Sequence, residues 1–108
     1  MELFEFTNEE WEEHIKYYHA LKSELSKEMF IGLLVRKNEL NADIETDKCR
    51  TIDNDELYGT GDFNLFLSEK NITESNFSAC IIGDEWYNEV IFIESANRCI
   101  LRVRETSA

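Results

Sequence analysis

The chain has 108 residues, of which 43% are hydrophobic, 31% are charged and 12% are aromatic. This length is close to the commonest domain size, so we expect a single domain over residues 1–108, and the apolar residues spread along the whole chain argue against intrinsic disorder. Its 23 acidic residues outnumber its 11 lysines and arginines, giving a net charge of −12, which argues against direct nucleic-acid binding because phosphates are bound mainly by Lys and Arg.

The first 28 residues predict a short strand followed by a helix. Apolar and acidic residues alternate over Met1 to Phe6, which is typical of an edge strand. Thr7-Asn8-Glu9-Glu10 fits a helix-capping box, in which the first hydroxyl accepts a backbone N–H and the last carboxylate reaches back to the cap. Apolar residues then recur at helical spacings, namely Trp11, Ile15, Tyr18, Leu21 and Leu25. The acidic residues of the first turns would be favoured there by the helix dipole.

The middle of the chain contains an apolar run and then a polar stretch. Met29 to Val35 fits a buried strand or a second helix, and we predict a helix that extends to Glu39. The segment from Asn41 to Asp62 is polar and has glycines at 59 and 61, so we expect a long loop with room for one short strand. Long ordered loops in compact domains commonly carry function.

The C-terminal part predicts an antiparallel meander. Four segments are rich in aromatic and β-branched residues and are expected to be strands: Phe63–Leu67, Phe77–Ile82, Trp86–Glu94 and Arg98–Arg104. Gly83–Glu85 and Ser95–Asn97 have the length of hairpin connections. The last strand should present an apolar face and a mostly basic face that is solvated or paired. The predicted fold class is α+β, with one or two N-terminal helices packed on one face of a three- to four-stranded antiparallel sheet.

The cysteines and the first residues indicate a cytoplasmic protein. Cys49, Cys80 and Cys99 have no CxxC spacing, and MELFEFTNEE has neither the basic nor the apolar region of a signal peptide. Cys80 and Cys99 are therefore expected to be reduced thiols buried in strands. No apolar run approaches the roughly 18 residues of a membrane-spanning helix, so we expect no membrane contact.

The sequence predicts no catalytic residue, metal site or cofactor. The glycine-rich, serine-elbow and zinc-protease motifs do not occur, and His14 and His19 are five residues apart, which does not place them together on one helix face. Asp53 begins a segment like a calcium-binding EF-hand loop. Tyr58 and Asn64, however, stand where that loop needs glycine and glutamate. We therefore expect a protein that is not an enzyme.

The acidic charge is concentrated in two segments. Residues 1–28 contain eight acids and three bases, and residues 39–62 contain eight acids and two bases. Self-repulsion destabilises a fold, so this asymmetry favours an anionic surface for a basic partner, which aromatic side chains would anchor. The predicted partner-binding residues are Asp43, Glu45, Asp47, Asp53, Asp55, Glu56, Tyr58, Asp62 and Trp86. Two alternatives stay open: the predicted first helix is the interface, or the aromatics are core residues and the acids only keep the loop soluble.

An acidic α+β chain with this charge distribution and no catalytic motif resembles the bacterial immunity proteins that neutralise nuclease toxins, including those of contact-dependent growth inhibition. The resemblance covers the general character of the whole chain and transfers no individual residue. It implies a monomeric cytoplasmic inhibitor whose carboxylates cover the active-site cleft of a cationic toxin nuclease, an RNase. The alternatives are a nucleic-acid-mimicking regulator of a DNA-binding protein and a small ligand-binding domain.

Overall fold

The computed structural model describes residues 1–40, 50–85 and 87–106; at residues 50, 51, 84 and 85 it describes the backbone alone. The described elements are β1 (Glu2–Asn8), β2 (Glu13–Leu21), α1 (Lys27–Arg36), β3 (Arg50–Ile52), α2 (Asn54–Gly59), α3 (Asp62–Glu69), β4 (Ser78–Glu85), β5 (Asn88–Glu94) and β6 (Arg98–Thr106). The strands form one antiparallel sheet in the order β1-β2-β6-β5-β4-β3. The mixed α+β class is confirmed, but the sheet has six strands rather than three or four.

The N-terminal segment is a β-hairpin, so the predicted helix starting at Thr7 is wrong. β1 is an edge strand, as expected, and pairs with β2 from Glu2 opposite His19 to Asn8 opposite Glu13. In β2, residues 17 to 20 are all buried, because the strand lies inside the sheet and is covered on both faces. Ile15, Tyr17 and His19 alternate along one face of this strand. This alternation outweighs the helical spacing of the apolar residues between positions 11 and 25.

Helices cover both faces of the sheet, which corrects the prediction that they pack on one face. Tyr17, Ile93 and Ile100 belong to a core cluster that includes the buried residues of α2 and α3. Neighbouring residues on the same strands, such as Tyr18, Phe92 and Leu101, belong to a second cluster with Phe30 and Leu34 of α1. Because successive side chains of a strand point to opposite faces, the sheet is a central layer between α1 on one side and α2 with α3 on the other.

The helices begin and end at residues suited to those positions. The side chains of Ser26 and Asp53 accept hydrogen bonds from backbone N–H groups in the first turns of α1 and α2. Asn38 and Asn71, which follow α1 and α3, have φ angles of 61° and 55°. Asparagine tolerates this left-handed conformation, in which the chain leaves a helix while satisfying its last carbonyl groups. The predicted helix over Met29–Glu39 is thus confirmed as α1, which ends slightly earlier.

The middle of the chain departs further from the prediction. The Asn41–Asp62 segment, expected to be a loop, contains β3 and α2 in its described part, and Phe63–Leu67 is helical rather than extended. The C-terminal meander is confirmed as β4, β5 and β6. Gly83–Glu85 forms the end of β4 instead of a connection, with an irregularity in pairing between Ile81 and Gly83.

The cysteines differ from one another. Cys99 is a free and buried thiol, as predicted. Cys80 is disulfide-bonded, so the prediction that it is a reduced thiol is wrong.

In the described parts of the chain, no helix is both long enough and apolar enough to cross a membrane.

Candidate functional site

Two exposed aromatic residues lie on neighbouring turns at one end of the sheet. Trp11, between β1 and β2, is 62% exposed, and Tyr87, between β4 and β5, is 49% exposed. Thr106, at the end of β6, contacts both turns. Its backbone N–H donates to the Tyr87 carbonyl at 2.9 Å, and its hydroxyl donates to the Trp11 carbonyl at 3.4 Å. The two turns are therefore held together by the central strand β6.

Carboxylates surround Trp11 in this turn. Glu9, Glu10 and Glu12 are exposed, and with Trp11 and Tyr87 they form what we call the acidic aromatic end. Basic groups on the adjoining strands already have acidic partners. Arg104 contacts Glu13 at 3.4 Å and Glu89 at 3.8 Å. His14 hydrogen-bonds Glu5 at 2.8 Å. The exposed carboxylates of the turn therefore remain available to cations from outside the molecule.

The turn that carries Trp11 is conformationally strained. Glu12 has a φ of 51°, and its backbone N–H donates to the Glu9 carbonyl at 3.4 Å. The left-handed conformation costs a residue with a Cβ about 1 to 2 kcal/mol, and strain of this kind is concentrated at functional sites. Because these glutamates do not lie at a helix N-terminus, the helix dipole no longer accounts for them.

The structure describes only some of the predicted site residues, and those that it describes do not form one exposed cluster. Asp43, Glu45, Asp47 and Trp86 lie outside the described residues. Asp53 caps α2 by accepting the Glu56 N–H at 2.8 Å. Asp55 and Glu56 are exposed on the first turn of α2. Neighbouring Asn54 lies near Ser95 and Ala96 of the β5–β6 turn, which places this group toward the opposite end of the sheet from Trp11.

Tyr58 and Asp62 make contacts within the fold. The Tyr58 ring is half-buried and packs edge-on against Phe63 at a centroid distance of 5.4 Å. Asp62 accepts hydrogen bonds from Arg102 Nε at 2.7 Å and Nη2 at 3.0 Å. It also accepts a hydrogen bond from the Tyr17 hydroxyl. These contacts give both residues a structural role in joining α2 and α3 to the sheet.

Arg102 is the centre of a buried ionic network. Its side chain is 3% exposed, and its Nη1 donates to Glu89 at 2.6 Å in addition to the two bonds to Asp62. Burial alone would lower the pKa of Arg102, but the hydrogen bonds and negative charge of Asp62 outweigh it and raise that pKa. Burial raises the pKa of the Tyr17 hydroxyl, and the adjacent Asp62 charge adds to the effect. The guanidinium therefore stays charged and the phenol neutral at neutral pH.

A cavity of about 320 Å³ lies at the opposite end of the sheet, where β2 ends and β6 begins. Its lining includes His19, Arg98 and Lys70 as well as Glu2 and Glu24. His19 Nε2 and Arg98 Nε are buried atoms without a hydrogen-bond partner. Burial lowers the pKa of His19 to about 4, because the ring packs in the interior against Phe66. The imidazole is therefore neutral at physiological pH.

Neither similarity to known proteins nor a metal site among the described residues points to a function for this chain. Searches against protein-family models, curated protein sequences and solved structures found no match. In the parts of the chain that the structure describes, no group of three or more His, Cys, Asp or Glu side chains is arranged to hold a metal ion. Evidence on function therefore comes from this chain's own surfaces.

The segment with Glu9, Glu10 and Glu12 was kept as an alternative interface, on a predicted helix, and Trp11 and Tyr87 were not included among the predicted partner-binding residues. The sequence contains a signal for the acidic aromatic end: a single tryptophan lies among polar and acidic residues in the stretch Asn8-Glu9-Glu10-Trp11-Glu12-Glu13. Trp11 was assigned to the buried stripe of a helix. In a hairpin the same sequence becomes the turn, and the tryptophan becomes exposed. The closeness of Tyr87 had no local signal, since it depends on strand pairing.

Proposed function

We propose that the chain is an acidic binding protein that inhibits a cationic nuclease, and that its acidic aromatic end is the contact surface. The observation that carries this proposal is the pair of exposed aromatic residues, Trp11 and Tyr87, beside the carboxylates of Glu9, Glu10 and Glu12. In this function the chain acts as a monomer, uses no cofactor and catalyses no reaction.

The two kinds of residue have different roles in such an interface. Trp and Tyr are enriched among the residues that contribute most binding energy, because a large rigid ring fills a pocket at little entropic cost. Carboxylates steer a basic partner and pair with its Lys and Arg, which raises the association rate more than the affinity. On a nuclease, the same carboxylates would occupy the positions of substrate phosphates.

The strained Glu12 backbone supports the same surface. A turn that only joined two strands would favour Gly or Asn at a positive φ, yet a glutamate is present. Several carboxylates elsewhere are engaged within the fold: Glu39 accepts from Lys16 at 2.7 Å and Tyr18 at 3.0 Å, and Glu94 contacts Lys22 at 2.9 Å and Lys27 at 3.3 Å. The turn thus combines strain, exposed charge and an exposed ring.

The test is binding to whichever basic nuclease domain a neighbouring gene encodes, measured by surface plasmon resonance together with inhibition of RNA cleavage. Trp11→Ala and Tyr87→Ala should each weaken binding by about 2 kcal/mol or more, chiefly through faster dissociation. The triple change of Glu9, Glu10 and Glu12 to Gln should slow association and reduce its salt dependence.

The matched control changes the charges at the other end of the sheet. Asp53→Asn, Asp55→Asn and Glu56→Gln together remove the same number of charges while preserving the cap of α2. If this control weakens binding and the turn variants do not, the interface lies on the segment predicted from the sequence instead. Binding to a DNA-binding protein in competition with DNA, without nuclease inhibition, would replace the inhibitor by a nucleic-acid-mimicking regulator.

A further inference from the structure

We propose that the cavity beside His19 binds a small organic anion, whose carboxylate or phosphate group accepts hydrogen bonds from His19 and Arg98 and lies near Lys70. This site is at the opposite end of the sheet from the acidic aromatic end, and it does not depend on the function proposed above. It gives the chain a second, small-molecule ligand.

Two buried donors in one lining are the first observation. The His19 side chain is 2% exposed, and its Nε2 lies 3.7 Å from the nearest Glu2 oxygen, too far for a hydrogen bond. Arg98 Nε lies 3.6 Å from Glu74 Oε1 and also has no hydrogen-bond partner. Buried polar atoms are almost always satisfied, so two unsatisfied nitrogens on residues that line one cavity point to a partner that the described residues do not supply.

The two carboxylates near these nitrogens, those of Glu2 and Glu74, do not form hydrogen bonds with them. Glu74 also accepts a hydrogen bond from the Ser95 hydroxyl. The Glu2 side chain is 73% exposed, so it can turn into solvent when an anion enters. Both nitrogens are buried, so an anion reaches them by displacing the exposed Glu2 side chain, whose oxygen is too far from His19 to form a hydrogen bond.

The lining carries two carboxylates, Glu2 and Glu24, on exposed residues and two cations, Lys70 and Arg98, on half-buried residues. Arg98 lines the cavity from β6 and Lys70 from the end of α3, and both act on His19 as positive charges. Lys70 Nζ lies 5.7 Å from the centre of the Phe4 ring, which holds its side chain beside β1. A guanidinium suits planar carboxylate and tetrahedral phosphate oxygens, and an ammonium adds a point charge.

The cavity size limits the ligand to a small molecule. About 320 Å³ is at the lower end of ligand pockets. Ala20, Leu21 and Met1 form part of the lining and offer apolar contact to the body of the ligand. A carboxylate or phosphate on a short carbon chain fits this combination, whereas a nucleic-acid strand or a protein does not.

The test is a titration of the ¹⁵N-labelled chain with sodium phosphate and, separately, with sodium acetate, each compared with sodium chloride at equal ionic strength. We expect saturable NMR shifts of the Arg98 Nε–H and the His19 imidazole with one or both probes, with half-saturation near or below about 10 mM. Saturation by phosphate alone identifies a phosphate group, saturation by acetate alone identifies a carboxylate, and saturation by both supports either source. Shifts that match those of chloride would overturn the proposal.

Variants of the lining residues, with one control outside the cavity, test which residues form the site. His19→Phe keeps a buried ring and removes the donor, and Arg98→Gln removes the guanidinium; each should raise the half-saturation concentration at least tenfold. Arg36→Gln makes the same change on an exposed arginine of α1 outside the cavity and should leave binding unchanged. If either core variant unfolds, Lys70→Gln at the half-exposed rim provides a milder change. Wild-type binding in Lys70→Gln and in a folded Arg98→Gln would contradict the site.

Discussion

Asp62 binds Arg102 through two hydrogen bonds inside the protein, from Nε at 2.7 Å and from Nη2 at 3.0 Å. This pair joins the first turn of α3 to the centre of the sheet. A bidentate carboxylate and guanidinium pair is geometrically specific, and its desolvated charges depend on each other. The contact therefore fixes how α3 lies on the strands.

Removing one partner of this pair should be strongly destabilising. We expect Asp62→Ala to lower the free energy of unfolding by about 3 to 5 kcal/mol, because it leaves a buried guanidinium with only Glu89 as acidic partner. Urea denaturation followed by circular dichroism measures this loss. The double variant Asp62→Leu with Arg102→Met should be less destabilised than Asp62→Ala. A loss below about 1 kcal/mol for Asp62→Ala would show that the pair is not needed for stability.

Burial of His19 should make the fold less stable in acid. The pKa is about 4 in the folded protein against an ordinary value of 6.5, so the unfolded chain takes up a proton between these values and the folded chain does not. Stability should therefore fall by roughly 3 kcal/mol as the pH drops from 6.5 to 4. Glu2 opposes this effect, while Arg98 and Lys70 reinforce it.

Denaturant unfolding at a series of pH values, on the wild type and on His19→Phe, tests this dependence. The variant should lose most of the slope between pH 6.5 and 4. His14→Phe removes the other histidine, which is half-exposed, and should retain the slope. An unchanged slope in His19→Phe would assign the acid sensitivity to other groups.

The positive φ of Glu12 predicts a stabilising substitution. Glycine adopts this conformation without strain, so Glu12→Gly should raise the free energy of unfolding by about 0.5 to 1 kcal/mol. Glu12→Gln removes the charge and keeps the strain, and Glu10→Gly places glycine in the same turn at a residue without a positive φ. If all three variants have equal stability, backbone strain at Glu12 is not significant.

The exposed aromatic residues should contribute little to folding. Trp11→Ala and Tyr87→Ala are expected to change the free energy of unfolding by no more than about 0.5 kcal/mol each. Phe66→Ala, which removes a fully buried ring stacked on Tyr17, should cost about 3 to 5 kcal/mol. Thermal unfolding of the three variants gives the comparison. A large loss in Trp11→Ala would mean that the ring is needed for the fold.

The capping role of Asp53 can be separated from its charge. Asp53→Ala should cost about 1 kcal/mol because the Glu56 N–H loses its acceptor, whereas Asp53→Asn keeps an oxygen at the same place and should cost less. Chemical denaturation of both variants measures the difference. Equal losses would indicate that charge rather than hydrogen bonding stabilises the start of α2.

Elements that depend on residues close together in the sequence were predicted more accurately than features that depend on residues far apart in the chain. The last strands were predictable because β-branched and aromatic residues alternate between short polar connections, whereas the apolar run of α1 fitted a buried strand as well as a helix. β2 was mistaken for a helix because Ile15, Tyr18 and Leu21 fit helical spacing as well as a strand covered on both faces. In α3 the positions of Phe63, Phe66 and Leu67 carried a helical signal that their strand propensity obscured.

The candidate site was harder to predict, because it too depends on residues that are far apart in the sequence. Acidity near both Glu9 and Asp55 was visible in the sequence, but exposure was not. Asp62 looked like any other acid of the polar segment until its pairing with Arg102, forty residues away, was known. Only tertiary structure separates acids that hold the fold together from acids that face a partner.

The bonds from Thr106 to the turns of Trp11 and Tyr87 also bear on how this surface arises during synthesis. β2 pairs with β6, with Glu13 opposite Thr106, so the β1–β2 hairpin joins the rest of the sheet only after the chain has been synthesised as far as β6. Pairings this distant in sequence form late and slowly. We expect a nascent chain truncated before β6 to lack the acidic aromatic end, so that partner recognition begins only after β6 has paired with β2.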